Sequence, residues 1–283
     1  MVSMRRRICD GRACGSNSSR RSLTIDLPAK SIQIVLGRDD LLEPTQLFDN
    51  FQFNGVIALV QPLQFTEQIT DDGVGPTGQI LEQTRGLAAH GDAVVLVARR
   101  RDVLQAVAAR CGSRALMVVA DVTRRDDVKR IVSETIDHYG HVDVWVNNVG
   151  RGITRLPSEL TDEDLDEMML LNVKSALYGM QEVLPHLRER GRGHIINVSS
   201  LLGRMPTALP RSAYSGAKHF LNALTTMFRA EVQQTHPDIQ VSLVSPGVVR
   251  TDFGLNARHG GVDSRTLPGS QTADEVAHVI ADV

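Results

Sequence analysis

Tyr214 and Lys218 stand four residues apart in Tyr214-Ser-Gly-Ala-Lys218, with the pair Ser199-Ser200 upstream. On a helix that spacing puts the phenol and the ammonium on one face. The ammonium then lowers the cost of ionising the phenol, whose unperturbed pKa near ~10 makes it a poor acid–base at neutral pH. A serine hydroxyl delivered from a strand end holds a carbonyl oxygen against that phenol. Such a trio suits moving a proton onto or off an alcohol oxygen while a hydride moves elsewhere. Tyr-x-x-x-Lys also recurs by chance on many helices, so its meaning depends on the elements around it.

From Gly55 onward, short apolar runs alternate with amphipathic stretches, the pattern of βαβ units and a parallel sheet. The runs at 56–60, 93–98, 115–120, 142–147, 194–199 and 241–245 read as buried strands. Helices are predicted near 78–89, 101–110, 125–139, 162–171 running into 172–190, 213–234 and 272–281, the last opening on the approximate capping box Thr272-Ala-Asp-Glu275. The fold class is therefore α/β, a Rossmann-type doubly wound parallel sheet forming one domain over 55–283. Residues 1–54 read as an N-terminal extension, poorly ordered or transit-like, with one strand possible at 31–36. Ligands of such sheets bind outside the carboxyl ends of the strands. The polar residues found there are Arg99-Arg100, Asp121, Asn147-Asn148-Val149-Gly150, Ser199-Ser200 and Pro246-Gly247.

Composition excludes several partner classes. A net charge of −2 and 4% aromatic residues give neither bulk attraction to nucleic acid nor base-stacking surfaces. No apolar run approaches the ~20 residues that span a bilayer. Cys9, Cys14 and Cys111 form no even framework and no metal-ligand spacing with His, so no metal is expected and a reducing compartment fits best. The cytoplasm is the expected location. An organelle is the alternative, because residues 1–21 carry Arg5, Arg6, Arg7, Arg12, Arg20 and Arg21 against the lone acid Asp10.

Over roughly 93–275 the chain resembles the short-chain dehydrogenase/reductase family in the content and order of its motifs. Asn147-Asn148-Val149-Gly150 is similar to the family's Asn-Asn-Ala-Gly turn. Leu171-Asn172-Val173, Ile196-Asn197-Val198-Ser199-Ser200, Tyr214-x-x-x-Lys218 and Ser245-Pro246-Gly247 complete the series. The resemblance implies Tyr214 as acid–base and Ser200, with Gly203 at the usual distance, orienting the substrate oxygen. It implies that Lys218 binds the nicotinamide ribose and tunes the tyrosine, while Asn172 supports a proton-relay water. Asp121 is implied near the adenine and Asn148 and Gly150 along the cofactor. Pro246 and Gly247 fall beside the nicotinamide, and Thr251 joins them as a cofactor contact. A homodimer or homotetramer through the two long helices is likewise implied.

Bland alternatives stand beside these roles. Asn172 can be a helix N-cap, Asp121 can cap the following helix, and Asn147 and Gly150 can be turn residues only. Pro246-Gly247 can simply end a strand. Arg99 and Arg100 stand where an acid would bind a free ribose 2′-hydroxyl, and no acid occurs before Asp102. Arginine there suits a 2′-phosphate, so NADP(H) is expected over NAD(H), the alternative being a solvated basic turn.

Two departures matter. The family expects Thr-Gly-x-x-x-Gly-x-Gly directly after the first strand, but Val60 is followed by a stretch without glycine. The cluster Gly73-Val-Gly75-Pro-Thr-Gly78 comes only after Asp71-Asp72. Pro76 lacks an amide donor, Ile80 stands where the last family glycine is expected, and two acids repel phosphate. The stretch reads as a rebuilt loop, a degraded site, or a misassembled or alternative transcript. The second departure is the stop at Val283 before a final edge strand, which predicts an exposed sheet edge.

The functional expectation is an NADP(H)-dependent oxidoreductase interconverting a carbonyl and a secondary alcohol. Leu201, Leu202, Met205, Phe253 and Leu255 suggest an apolar small-molecule substrate, with 251–267 as its lid. The alternative is a non-catalytic relative kept as a binding or regulatory module.

Overall fold

A computed structural model describes residues 22–27, 30–35, 56–60 and 93–283. These fall in two units, one within Met1–Gln52 and one within Phe53–Val283. In the first, β1 (Ser22–Leu27) and β2 (Lys30–Val35) pair antiparallel, Ser22 opposite Val35 and Leu27 opposite Lys30. The strand expected at 31–36 is β2. Its partner was missed, although Leu23, Ile25 and Leu27 alternate with Ser22, Thr24 and Asp26.

In the second unit, β3 (Val56–Val60), β4 (Ala93–Ala98), β5 (Ala115–Val119), β6 (Val144–Asn147), β7 (Gly193–Val198) and β8 (Ile239–Val244) form one sheet. Every pairing is parallel and the order is β5-β4-β3-β6-β7-β8. The strand order reverses between β3 and β6, which is where doubly wound sheets open a ligand crevice. The helix expected at 78–89 and the cluster Gly73, Gly75 and Gly78 lie outside the described residues.

β4 is apolar throughout because both its faces are covered. In β4, Val95 and Val97 join one buried cluster, while Val94, Leu96 and Ala98 join the other. The helices are α1 (Arg101–Cys111), α2 (Arg125–Tyr139), α3 (Asp162–Met169), α4 (Ser175–Arg190), α5 (Ser212–Gln233) and α6 (Ala273–Ala281). In α2, Val128, Ile131, Val132 and Thr135 recur on one face and are buried, acids fill the first turn, and Gly140 ends the helix at φ 81°. The capping box Thr272/Glu275 opens α6 as expected, and an unexpected one, Thr161/Asp164, opens α3. No helix among the described residues is long and apolar enough to cross a membrane.

A buried polar ladder registers α5 against the sheet. Trp145 Nε1 donates to Asn147 Oδ1 (2.8 Å), Asn147 Nδ2 to Asn197 Oδ1 (2.8 Å), and Asn197 Nδ2 to Thr225 Oγ1 (2.9 Å). The two asparagines and Thr225 are all buried, so each bond made avoids an unsatisfied polar group. Gly179 of α4 lets that helix pass over the ladder. A methyl there would collide with Asn147 Oδ1 and lie 2.5 Å from Trp145 Nε1. Gly179→Ala is therefore expected to destabilise the fold by about 2 kcal/mol or more, read from denaturant unfolding, despite alanine's better helix propensity.

Candidate active site

β7 ends at Val198 and delivers Ser199 and Ser200 to the start of α5. Lys218 Nζ donates to the Val198 carbonyl at 2.9 Å and lies 5.8 Å from the Tyr214 ring centroid. Ser215 Oγ, between them on α5, donates to Leu202 O at 2.6 Å and ties the helix to the turn after Ser200.

The two serines do different work. Ser199 Oγ donates to Asn222 Oδ1, and Asn222 Nδ2 donates to Gly203 O at 2.8 Å. A methyl on Gly203 would come 2.9 Å from Ser199 Oγ, so glycine is what lets the turn close on α5. Ser199 thus clips the turn. Ser200 accepts from the Leu202 amide at 3.2 Å, and its side chain lies beside the Tyr214 phenol, whose ionised form it favours.

Asn172 sits in a π-helical turn, Leu170–Lys174, that joins α3 to α4. The N-cap alternative is corrected, since the residue lies within continuous helix and is fully buried. Its Oδ1 accepts from the Arg151 amide (3.1 Å), and its Nδ2 donates to Arg151 O and Met168 O (both 3.0 Å). A π turn shifts the backbone hydrogen-bond register, and such turns concentrate at functional sites. A methyl on Gly150 would come 2.8 Å from Asn172 Oδ1 and 3.3 Å from Lys218 Nζ. The Asn-Asn-Val-Gly turn therefore needs its glycine to sit against both side chains.

Electrostatics correct one expectation. The spacing predicted a phenol made more acidic by its lysine. Burial instead pushes Tyr214 up to about 12, opposed only in part by the Ser200 hydrogen bond and the positive charge of Arg211. Burial also brings Lys218 down to about 7. Removing both groups from water disfavours each one's charged form, and that outweighs their proximity.

Sequence reasoning missed Arg211, the residue that immediately precedes α5 and stands three before Tyr214. Arg211 is half-buried and donates from Nη1 to Ile153 O at 3.2 Å. It also missed that Phe253 packs on the phenol, with ring centroids 5.6 Å apart.

The remaining predicted residues follow the carboxyl ends of β4, β5, β6 and β8. Arg99 is exposed after β4, and half-buried Arg100 carries a buried Nε with no hydrogen-bond partner among the described residues. Asp121 Oδ1 accepts from the Thr123 amide (3.0 Å) and hydroxyl (2.7 Å), closing a turn ahead of α2 and not capping the helix itself. Asn148 is half-buried between Asn147 and Gly150. After β8, Pro246 O accepts from the Leu201 amide at 2.8 Å, and the Gly247 amide donates to Gln271 Oε1 at 3.0 Å. Thr251 is buried, its hydroxyl accepting from the Phe253 amide at 3.0 Å. No group of three or more His, Cys, Asp or Glu among the described residues could hold a metal ion.

This sheet order, with a tyrosine, lysine and serine gathered at its carboxyl rim, has close counterparts. The short chain dehydrogenase family model matches residues 77–260. The chain belongs to that family. An uncharacterized oxidoreductase of Staphylococcus epidermidis is 30% identical over 194 residues, 69% of this chain and 82% of the relative. A short-chain dehydrogenase from Streptomyces avermitilis superposes with a TM-score of 0.65 at 28% identity, over 80% of this chain and 83% of the other. An alcohol dehydrogenase from the archaeon Thermococcus sibiricus, complexed with 5-hydroxy-NADP, gives 0.64 at 24% identity over 80% and 88%, a likeness of fold. The family match begins at residue 77, near the end of the atypical stretch, yet β3 upstream of it holds the central position, with Val60 beside both Val97 and Asn147. The first strand expected of a short-chain dehydrogenase is thus in place.

Proposed function

We propose that this chain is an NADP(H)-dependent oxidoreductase that interconverts a carbonyl and a secondary alcohol on an apolar substrate, with Tyr214 as the acid–base. Family membership makes it a dehydrogenase or reductase of the carbonyl/alcohol class. The observation that carries the finer reading is the buried Tyr214 with Lys218 Nζ 5.8 Å from its ring and Ser200 beside it, the lysine anchored on the last residue of β7. Turnover of NADPH with a panel of apolar ketones tests it directly.

The residues present fit the nucleotide. Arg100 Nε is a buried donor without a partner among the described residues, and Gly150 leaves backbone beside Asn172 and Lys218 that any side chain would fill. Arg99 and Arg100 would hold a 2′-phosphate, and Lys218 the nicotinamide ribose. When bound, the nicotinamide supplies the hydride for the carbinol carbon. In reduction Tyr214 gives its proton to the carbonyl oxygen. A phenol at about 12 is in its acid form across the physiological range, which suits this direction. Ser200 orients the oxygen, and Lys218 in its charged form favours the phenolate left behind. Arg211 adds a second positive charge near the ring. Asn172 supports the water through which the proton is replaced.

Leu201, Met205 and Leu255 are exposed on the segments after Ser200 and Thr251, and Phe253 covers the phenol, which supports an apolar substrate. Exposed Phe220 and Met227 on α5 support self-association through that helix. The alternative, a non-catalytic family member used as a binding module, draws on the atypical stretch before residue 77. Fluorescence titration separates the two, since the enzyme must bind NADPH. Arg99→Ala with Arg100→Ala is expected to weaken NADPH on the order of 10- to 100-fold while barely changing NADH, by loss of charge-assisted phosphate contacts. Equal losses for both nucleotides would refute the 2′-phosphate assignment.

A further inference from the structure

The lid contains a fixed section. Arg258 donates its amide to Gly152 O (2.9 Å) and accepts at its carbonyl from the Thr154 amide (3.0 Å), so Ile153 and Arg258 form an isolated parallel bridge. Beneath the bridge lies a cluster of charges. Arg258 bonds both Asp164 and Glu167 of α3. Arg151 Nη1 donates to Glu167 Oε1 at 2.6 Å, and Arg151 Nε donates to Asn256 O at 3.0 Å. Arg155 Nη1 reaches Asp164 Oδ2 at 3.1 Å, and His259 Nε2 lies 2.9 Å from Asp164 Oδ1. His259 at φ 64° and Gly260 at φ 75° then turn the chain away.

Isolated ion pairs on a surface hold little. This cluster differs because the Asp164 side chain has no exposure and that of Glu167 only 19%. Glu167 is the member shared between Arg151 of the loop and Arg258 of the lid. Arg151 is in turn the residue whose amide and carbonyl hold both ends of the Asn172 carboxamide. The chain of contacts therefore runs from lid to carboxylate to loop to Asn172.

We propose that Glu167 is a positioning residue whose clasp on Arg151 and Arg258 docks lid residues 256–259 beside Asn172. The consequence for turnover rests on the reading of the site as a carbonyl/alcohol oxidoreductase; the clasp itself does not. With the clasp intact, lid motion is confined to the residues on either side of it, where Phe253, Leu255 and Val262 are exposed. The apolar flank of the substrate site is then free to adjust while Asn172 stays in place.

Hydrogen exchange on the full chain tests the clasp without any substrate. In Glu167→Gln, amides of 152–155 and 256–259 should exchange together, on the order of tenfold faster or more, as expected for loss of hydrogen bonds to a charged group. Amides of β6 and β7 should keep their protection, and Glu167→Asp should restore part of the loss. The proposal is overturned if neither segment loosens, if the lid loosens without 152–155, or if β6 and β7 loosen equally. In turnover, Glu167→Gln should raise KM for a ketone about tenfold with NADPH affinity unchanged within about twofold. A fall in kcat alone would assign Glu167 to another role. A wild-type chain that reduces no ketone would sink the proposed reaction, and the exchange result would still decide the clasp.

Discussion

Tyr214→Phe is expected to lower turnover about 10³-fold while leaving NADPH affinity within about twofold of wild type, the usual scale for losing a positioned general acid. The substitution keeps the ring, and with it the packing against Phe253. What disappears is the hydroxyl beside Ser200 that the proposed mechanism uses as its acid. A phenol held at about 12 has no nearby substitute of matching reach, since Ser199 is committed to Asn222 and Lys218 to Val198. Stability should change by only about 1 kcal/mol, because one buried hydrogen bond is lost and no cavity larger than an oxygen is made. Single-turnover reduction measured beside fluorescence titration separates the two quantities. Near-normal turnover would remove the phenol from the mechanism.

Lys218→Met should act in opposite senses on activity and stability. Lys218 is buried, and its pKa falls from 10.5 to about 7 because burial penalises the ammonium. Between those two values the unfolded chain binds a proton that the folded chain does not. Wild-type stability therefore rises with pH across that window, and at pH 6 the folded state bears the full cost of a buried charge. Methionine fills similar volume and carries no charge. After allowance for the lost bond to Val198 O, the variant should gain on the order of 2 kcal/mol at pH 6, or about 4–8 °C in Tm. The gain should shrink as pH rises from about 7 toward 10.5. Turnover should fall at least about 100-fold, since Arg211 alone is then left to offset the phenolate formed on proton transfer. Calorimetry at pH 6 and pH 9 reads the first effect. A variant less stable than wild type at both would show that the ammonium is not an energetic burden on the fold.

The elements themselves were legible to a high degree, for a local reason. Strands covered on both faces must be apolar throughout, and β4, with its two faces in separate clusters, shows why the run at 93–98 could be read directly. The 125–139 helix matched residue for residue because its apolar period, acidic first turn and glycine stop agree. The junction of α3 and α4 was read within two residues of its place, but its π-helical form was not visible. A π turn adds one residue to a helical turn without any residue type that signals it, so 162–190 read as two helices meeting at Asn172. Arg211 was within reach, being only three residues before Tyr214. The partners of Arg151 were not, because Asn256 stands 105 residues away and nothing local links them.

The order of residues alone determined which side chains arrive at the carboxyl ends of the strands, and hence the chemistry open to the site. Periodicity and spacing are short-range properties, and a parallel sheet converts them into position with little freedom. Only the folded chain decided what state those side chains are in and what they touch. Burial depends on everything packed around a group, so it set Tyr214 toward the neutral phenol and Lys218 toward the neutral amine against the expectation from their spacing. The division between Ser199 and Ser200 has the same origin: α5 presents Asn222 to one hydroxyl and Tyr214 to the other.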